Sequence, residues 1–413
     1  MLKSVRMPTL LQINVTCNWG STGKIAELIG QEAIAQGWKS YIAYGRNYNK
    51  SESIKIKVGS KSSVYSHYFT QRIFGNEGLC SKRATIKLIE AIKQIKPDII
   101  QLHNIHDHFL NYKLLFEYLN TTDIQVVWTM HDFWAVTGHC MHFVGAACDR
   151  FKTGCHHCPM KKFYPKSIFD RSGQNYKLKR DLFKTNNNLT LVAVSQWVAD
   201  VLAESFLNDK PIKVINNGID LSVFKPTNNQ EFEQRVKDKF VIMSVASQWR
   251  HDKGLEDYKT ISRFLANDEV IVLVGVDDII ISELPSNIIG FKRTENLREL
   301  AGLYSRADVI TILSSAETFG LTVIEGYACG TPAVVYNNTA PPALITPQTG
   351  FVVENHNPMA AYNAIQEIKR RGKRHYSEQC IELASKRYDR RKCSECYLDL
   401  YEGLIYPRHN LNK

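Results

Sequence analysis

The chain has 413 residues, enough for two domains of ordinary size that each bury a core. Hydrophobic residues make up 44% and charged residues 23%, which excludes wholesale disorder and a protein with many membrane spans. Lys and Arg number 52 against 41 Asp and Glu, a net charge of +11. This excess favours an anionic partner, whether nucleic acid, a phosphorylated substrate or an anionic lipid.

The beginning of the chain offers no export signal, because the apolar run at 10–15 is too short and too polar for a signal-peptide core. No stretch reaches the roughly 18 consecutive apolar residues that a spanning helix needs, so any membrane contact is expected to be peripheral. We therefore predict a cytoplasmic protein whose ten cysteines are reduced, except where they bind a metal.

Short apolar runs alternate with helical patterns along the chain. Strands are predicted at 10–15, 40–44, 98–102, 126–130 and 191–194, and then at 213–215, 240–246, 270–274, 309–313 and 333–336. This alternation predicts two doubly wound α/β domains with parallel sheets. The domains are placed at 1–208 and 209–390, followed by a helical tail at 391–413 that is available to pack back on the first domain.

A glycine-rich loop containing Gly20, Ser21 and Gly23 follows the first predicted strand, and a helix is predicted to begin near Gly23. Such a turn presents backbone N–H groups to an anion. A triphosphatase P-loop is excluded, because Asn18 and Ile25 stand where it requires Gly and Ser or Thr. A dinucleotide fingerprint lacks its third glycine. The loop either contacts a phosphate or simply forms a tight turn.

Two glutamates follow the strand predicted at 309–313. Glu317 lies in the loop, and Gly320 is predicted to begin a helix that carries Glu325. The N–H groups of Gly320, Leu321 and Thr322 would then be unpaired donors at the positive end of a helix, suited to a diphosphate. Glu325 would reach a ribose diol and Glu317 the hydroxyls of a sugar. The alternative is a capping carboxylate and an exposed helix residue that bind no ligand.

The two glutamates, with Phe319-Gly320 between them and Gly-Thr-Pro at 330–332, resemble the E-x7-E signature of the retaining glycosyltransferases of family 4. Asn217-Gly-Ile-Asp220 and Lys253-Gly254 resemble further motifs of that family. The segment 128–138, which contains His131, resembles the branch that builds capsular, O-antigen and colanic-acid-type polysaccharides. The resemblance covers nearly the whole chain and implies the GT-B fold, in which two Rossmann-like domains face each other across a cleft.

The resemblance also implies roles for single residues. Glu317 would contact the donor sugar, the amides after Phe319 would hold the diphosphate and Glu325 would bind the ribose. Lys253 would neutralise the leaving phosphate, and His131 would border the reacting sugar carbon.

One position departs from the family pattern. The family has an Arg five residues before Lys253, where this chain has Gln248, and Arg250 is the nearby cation that would replace it. The implied reaction retains the configuration of the sugar and needs no metal cofactor, because cations and amides stabilise the charge on the departing diphosphate.

Four cysteines fall within a loop at 138–160 and have the spacing C-x7-C-x6-C-x2-C. They are Cys140, Cys148, Cys155 and Cys158. A C-x2-C pair with two further thiols nearby predicts a structural zinc site, with free thiols as the alternative. A zinc finger that binds nucleic acid is disfavoured, because the spacing is irregular and no recognition helix follows.

Basic residues concentrate at 152–180, with aromatic residues between them. This segment either faces the anionic head groups of the inner membrane leaflet, where a lipid-linked acceptor would lie, or forms a solvated face.

We predict a glycosyltransferase that uses a nucleotide diphosphate sugar to extend a lipid-linked glycan of a capsule or lipopolysaccharide, peripheral to the membrane and without a nucleic-acid partner. The alternative is a non-catalytic protein that binds sugar or nucleic acid and has a zinc-stabilised loop.

Overall fold

The computed structural model describes residues 6–249 and 251–406, without the side chain of residue 251. The chain forms two compact units. Unit 1 contains the residues up to Asn216 together with those from Cys393 onward, and unit 2 contains Asn217–Lys392.

Unit 1 is built on a parallel sheet. Its strands within the described residues are β1 (Thr9–Asn14), β2 (Lys39–Tyr44), β3 (Ile54–Lys57), β4 (Ile99–Leu102), β5 (Gln125–Met130), β6 (Leu189–Ala193) and β7 (Ile212–Val214). Its first six helices are α1 (Gly20–Ala35), α2 (Lys61–Phe74), α3 (Lys82–Ile95), α4 (Tyr112–Leu119), α5 (Ser172–Thr185) and α6 (Gln196–Ala203). The strand order is β3-β2-β1-β4-β5-β6-β7, so the winding reverses between β1 and β4.

Unit 2 repeats this architecture. Its strands are β8 (Phe240–Val245), β9 (Glu269–Val274), β10 (Ile288–Phe291), β11 (Val309–Ile312), β12 (Ala333–Tyr336) and β13 (Gly350–Val353). Its helices are α7 (Gln230–Arg235), α8 (Leu255–Ile261), α9 (Asp278–Ser282), α10 (Leu297–Arg306), α11 (Leu321–Ala328), α12 (Pro358–Arg371) and α13 (Arg374–Arg387), and α14 (Arg390–Ile405) follows. All neighbouring strands are parallel in the order β10-β9-β8-β11-β12-β13, which reverses between β8 and β11.

The central strands β1 and β9 are fully buried and mostly apolar, as expected for sheets that helices cover on both faces. Leu10 of β1, Ile99 of β4, Val127 of β5 and Val192 of β6 meet in one core cluster of unit 1. The cluster also contains Tyr401 of α14. The two doubly wound α/β domains predicted from the sequence are therefore confirmed.

The tail belongs to unit 1. The hydroxyl of Tyr397 lies 3.1 Å from Oγ1 of Thr129, and the Tyr401 hydroxyl donates to Oε1 of Gln101 at 2.9 Å. Both tyrosines are buried. The tail thus supplies core side chains to the first sheet.

The structure corrects two predicted boundaries. The strand predicted at 213–215 as the start of the second domain is β7, which pairs with β6 and closes the first sheet. The boundary between the units in the sequence therefore lies between residues 216 and 217, and not between 208 and 209. Helix α1 begins at Gly20, three residues before the predicted start.

No helix among the described residues combines the length and apolar character that crossing a bilayer requires.

Candidate active site

In open α/β sheets, ligands bind beyond the carboxyl ends of the strands where the winding reverses. In unit 2 this point lies beyond β8 and β11. The loop after β8 carries Lys253, and the loop after β11 carries Glu317. The two residues predicted to bind phosphate and sugar therefore follow the two strands that flank the reversal.

Lys253 and Glu317 form an ion pair, with Nζ 2.6 Å from Oε1. The two loops are also joined by the backbone, because the N–H of Ser315 donates to the carbonyl of Asp252 at 2.9 Å. Gly254 has φ +73°, and a Cβ atom there would clash with the Leu313 carbonyl. A glycine after Lys253 is thus what allows the loops to approach so closely.

Gly320 is the N-cap of α11 and has φ +103°, a conformation that favours glycine. The amides of Leu321 and Thr322 lie in the first turn, where N–H groups have no acceptor within the helix. The ring of Phe319 is 3% exposed and packs edge-on against Tyr388 at 5.9 Å. The prediction that Phe319 contacts a donor is therefore restricted to its backbone.

Glu325 lies on α11, one turn beyond these amides. Its Oε2 accepts a hydrogen bond of 2.8 Å from the hydroxyl of Tyr304, which is fully buried on α10. Burial and the neighbouring Glu325 carboxylate raise the pKa of Tyr304 well above its ordinary value, so the hydroxyl keeps its proton and donates. Tyr304 thereby orients the Glu325 carboxylate. The sequence predicted that Glu325 lies on this helix but not which side chain orients it.

The predicted second phosphate cation, Arg250, lies outside the described residues. Gln248, which replaces the family arginine, is exposed. The neighbouring Trp249 is buried, and its indole N–H donates to the carbonyl of Val274 at 2.9 Å.

In unit 1 the glycine-rich loop leads from β1 into α1. Gly20 has φ +67°, and Ser21 is exposed in the first turn of α1. A Cβ atom on Gly23 would lie 2.6 Å from Oγ1 of Thr16, and the Gly23 carbonyl accepts the N–H of Asn18 at 3.1 Å. These contacts show that the tight turn has no room for a side chain at position 23. A phosphate contact of this loop stays a prediction.

His131 follows β5 and pairs with His103, which follows β4. Nδ1 of His103 lies 3.0 Å from Nε2 of His131, and the rings are nearly parallel. Nε2 of His103 lies 3.0 Å from Oε1 of Gln12, whose Nε2 donates to the carbonyl of Ala26 at 2.7 Å. The sequence had placed His131 at a strand end, but it gave His103 and Gln12 no role.

This chain of hydrogen bonds determines where the protons lie. Because Oε1 of Gln12 can only accept, His103 donates through Nε2 and accepts at Nδ1. His131 must then donate through its own Nε2. Burial lowers the pKa of His131 to about 4 and lowers that of His103 well below its ordinary value, so both rings are neutral at pH 7, as this pattern requires.

A second histidine pairs with a carboxylate close by. Nε2 of His106 lies 2.9 Å from Oδ2 of Asp132, whose Oδ1 accepts the N–H of Trp134 at 2.9 Å. Burial alone would lower the pKa of His106, but the Asp132 carboxylate raises it above its ordinary value. Despite burial, the charge and hydrogen bond of His106 lower the pKa of Asp132 to about 2.

The structure brings part of the predicted zinc cluster together. The thiols of Cys140 and Cys158 are hydrogen-bonded, and Sγ of Cys155 accepts the N–H of Gly138 at 3.2 Å. Burial raises the pKa of Cys155 to about 11. Among the described residues, however, no three or more His, Cys, Asp or Glu side chains are arranged to hold a metal ion. The zinc site that includes Cys148 therefore stays a prediction.

Comparison with known proteins identifies the fold and family. Two family models match in succession, Glycosyltransferase Family 4 at residues 26–223 and Glycosyl transferases group 1 at 224–387. A relative in Escherichia coli K12, described as the putative colanic acid biosynthesis glycosyl transferase WcaC, is 25% identical over 80% of this chain and 84% of its own.

Solved structures also resemble nearly the whole chain. Sucrose-phosphate synthase from Thermosynechococcus elongatus has a TM-score of 0.73 at 15% identity and covers 97% of this chain and 100% of its own. Anabaena Alr3699/HepE in complex with UDP-glucose has a TM-score of 0.64 at 13% identity, with 96% and 99% covered. The two family models, which together span residues 26–387, show that the chain belongs to the family 4 glycosyltransferases, and the solved structures show that it has the GT-B fold.

Proposed function

We propose that the protein transfers a sugar, with retention of configuration, from a nucleotide diphosphate donor to a growing lipid-linked glycan in surface polysaccharide biosynthesis. The observation that carries this proposal is the Lys253–Glu317 pair beside the first turn of α11, at the reversal of the unit 2 sheet. The UDP-glucose bound by HepE and the colanic acid role of WcaC support the donor class and the pathway class.

Each part of this cluster corresponds to one part of a nucleotide sugar. The amides of Leu321 and Thr322 suit a diphosphate, because the positive end of a helix favours anions. Glu325 would accept hydrogen bonds from the ribose hydroxyls and Glu317 from those of the sugar. In the structure Lys253 and Glu317 neutralise each other, and donor binding would exchange this contact for Lys253 to phosphate and Glu317 to sugar.

The reaction would proceed by departure of the nucleoside diphosphate and attack of the acceptor hydroxyl on the same face of the sugar. The departing phosphate oxygen would accept the proton that the acceptor hydroxyl loses. Lys253 and the α11 amides would stabilise the negative charge where it develops. The proposal is metal-independent because these groups supply the neutralisation. The role of His131 beside the reacting carbon rests on the family resemblance.

The test compares Glu317→Gln with the wild type. Thermal shift against a panel of nucleotide sugars identifies the donor, since a ligand at a hundredfold its Kd stabilises the protein by about 2.7 kcal/mol. Donor consumption is then measured. Losing hydrogen bonds to a charged group costs about 1.5–3 kcal/mol, so we expect Glu317→Gln to be about 10- to 160-fold slower.

Glu283→Gln is the matched control, because Glu283 is exposed and follows α9, away from this cluster. It should consume the donor at the wild-type rate. A wild-type protein that neither binds nor consumes any nucleotide sugar would contradict the proposed function, and an unchanged rate in Glu317→Gln would contradict the assigned site. The anomeric configuration of the product, read by NMR, tests retention.

A further inference from the structure

The burial pattern of helix α2 is the opposite of that in an ordinary surface helix. Its buried side chains are His67 and Gln71, both polar. Tyr65, Phe69 and Ile73 recur every four residues along its outer face and are 65%, 62% and 40% exposed. A surface helix normally buries its apolar stripe and exposes its polar one.

Specific hydrogen bonds hold α2 in this orientation. Nε2 of His67 accepts the N–H of Gly78 at 3.1 Å, and its Nδ1 lies 2.9 Å from Oγ of Ser81. Nε2 of Gln71 donates to the carbonyls of Pro165 and Lys166, both at 3.2 Å. Turning the aromatic side inward would break all four bonds and leave buried polar groups unpaired. These hydrogen bonds therefore keep the aromatic residues of α2 on its outer side.

A second segment extends this surface. The N–H groups of Ile168 and Phe169 donate to the carbonyls of Arg72 and Ile73, each at 3.0 Å, at the end of α2. The rings of Phe74 and Phe169 lie nearly parallel with centroids 6.3 Å apart. Ile168 and Phe169 are 62% and 58% exposed. The resulting aromatic face comprises Tyr65, Phe69, Ile73, Phe74, Ile168 and Phe169.

The two segments that form the aromatic face carry charges of one sign. The segments 61–74 and 161–169 contain five Lys and Arg residues and no Asp or Glu. The next residue, Asp170, accepts the N–H groups of Cys158 and Ser172 at 2.7 and 2.9 Å. Exposed aromatic residues among cations, without carboxylates, are typical of surfaces that enter the head-group region of anionic bilayers. Two copies of such a face would repel each other.

We propose that the aromatic face docks the protein on an anionic lipid bilayer. Within 152–180 this confines the expected membrane contact to residues 161–169, and it adds helix α2 to that contact. In that segment Lys179 is buried and donates to the carbonyls of Trp134 and Thr137, and Lys152 pairs with Glu204 at 2.7 Å. The inference rests on the proposed function only for its purpose, which is to bring the enzyme to a lipid-linked acceptor.

The experiment measures co-sedimentation of the full chain with vesicles of phosphatidylcholine alone or mixed with phosphatidylglycerol, without donor or acceptor. The wild type should bind only the mixed vesicles. Lys162→Gln/Lys166→Gln should weaken binding about 25-fold, since each cation near an anionic surface contributes about fivefold. Phe69→Ser/Ile168→Ser should weaken it more than tenfold, because apolar side chains no longer enter the bilayer.

Two controls match these changes elsewhere on the chain. Ile279→Ser removes an apolar side chain that is 71% exposed on α9, and Lys225→Gln/Lys237→Gln removes two exposed cations of unit 2. Both should bind within twofold of the wild type. All variants should keep the wild-type melting temperature, because the substituted side chains are exposed, and the wild-type rate of donor consumption.

Equal binding to both kinds of vesicle, or equal losses in variants and controls, would overturn the proposal. Light scattering is measured on the same samples. A wild-type dimer that Phe69→Ser/Ile168→Ser converts to a monomer, with no vesicle binding, would assign the face to self-association and also overturn it. None of these outcomes depends on sugar transfer, so they are distinct from failure of the proposed function.

Discussion

Two substitutions of His103 should have different effects on His131. In His103→Asn, the amide oxygen occupies the place of Nδ1 and still accepts the N–H of His131. In His103→Gln, the amide nitrogen occupies the place of Nε2, so Gln12 keeps its donor while His131 loses its acceptor. We expect donor consumption to be faster in His103→Asn than in His103→Gln.

The size of the difference follows from the bond that is lost. His103 is 1% exposed, and its bond to His131 spans 3.0 Å. Leaving a buried donor unpaired costs about 1–3 kcal/mol, which corresponds to a factor of about 5 to 160. If the ring of His131 must keep its orientation during the reaction, the two rates should differ by a factor in this range.

The assay combines donor consumption with 15N NMR of the imidazole nitrogens, and His131→Ala identifies the signals of that ring. The wild type and His103→Asn should carry the His131 proton on Nε2, whereas His103→Gln should lose this preference. Equal rates in the two variants would refute the positioning argument. A wild-type His131 that carries its proton on Nδ1 would refute the assigned hydrogen-bond chain.

Three further predictions concern other parts of the molecule. Tyr304→Phe removes the donor that orients Glu325, so the KM for the nucleotide sugar should rise about tenfold with kcat little changed, and an unchanged KM would contradict this role. Glu77 is buried, which alone would raise its pKa, but contact with His108 and the charges of nearby histidines lower the pKa to about 2 from an ordinary 4.5. Because the folded-state pKa is the lower one, this carboxylate stabilises the fold above pH 4.5, and about 3 kcal/mol should be lost as the pH falls towards 2. Denaturant unfolding at pH 5 and pH 3 should show a smaller loss in Glu77→Gln, and an equal loss would rule this out. Purified protein should contain about one zinc per chain, and Cys158→Ser should contain less; a zinc-free wild type would exclude the predicted metal site.

The residues of unit 2 that carry the proposed chemistry could be predicted because each has a local signal. Glu317 follows an apolar strand, Gly320 precedes an amphipathic segment, and both stand in a motif with fixed spacing. The structure places the end of β11 and the start of α11 within one residue of the predicted positions. Short-range pattern is sufficient where one loop and one helix form most of a site.

Other features depend on which strands are neighbours. Gln12 and His103 meet because β1 and β4 are adjacent, which no local pattern states. The outer strands β3, β10 and β13 were not predicted; β3 for example is mostly exposed and has no apolar run. Helix α2 was also not predicted, because its buried face is polar and its apolar residues point outward.

The contribution of α14 to unit 1 has a consequence for how the protein is made. Tyr397 and Tyr401 are core residues of unit 1, yet they are synthesised about 180 residues after the rest of that unit. Unit 2 is continuous in sequence, so all of its residues are synthesised before Tyr397 and Tyr401. Unit 1 lacks these two core side chains until α14 is synthesised, so we expect the unit whose synthesis begins first to complete its packing only after unit 2 has been synthesised.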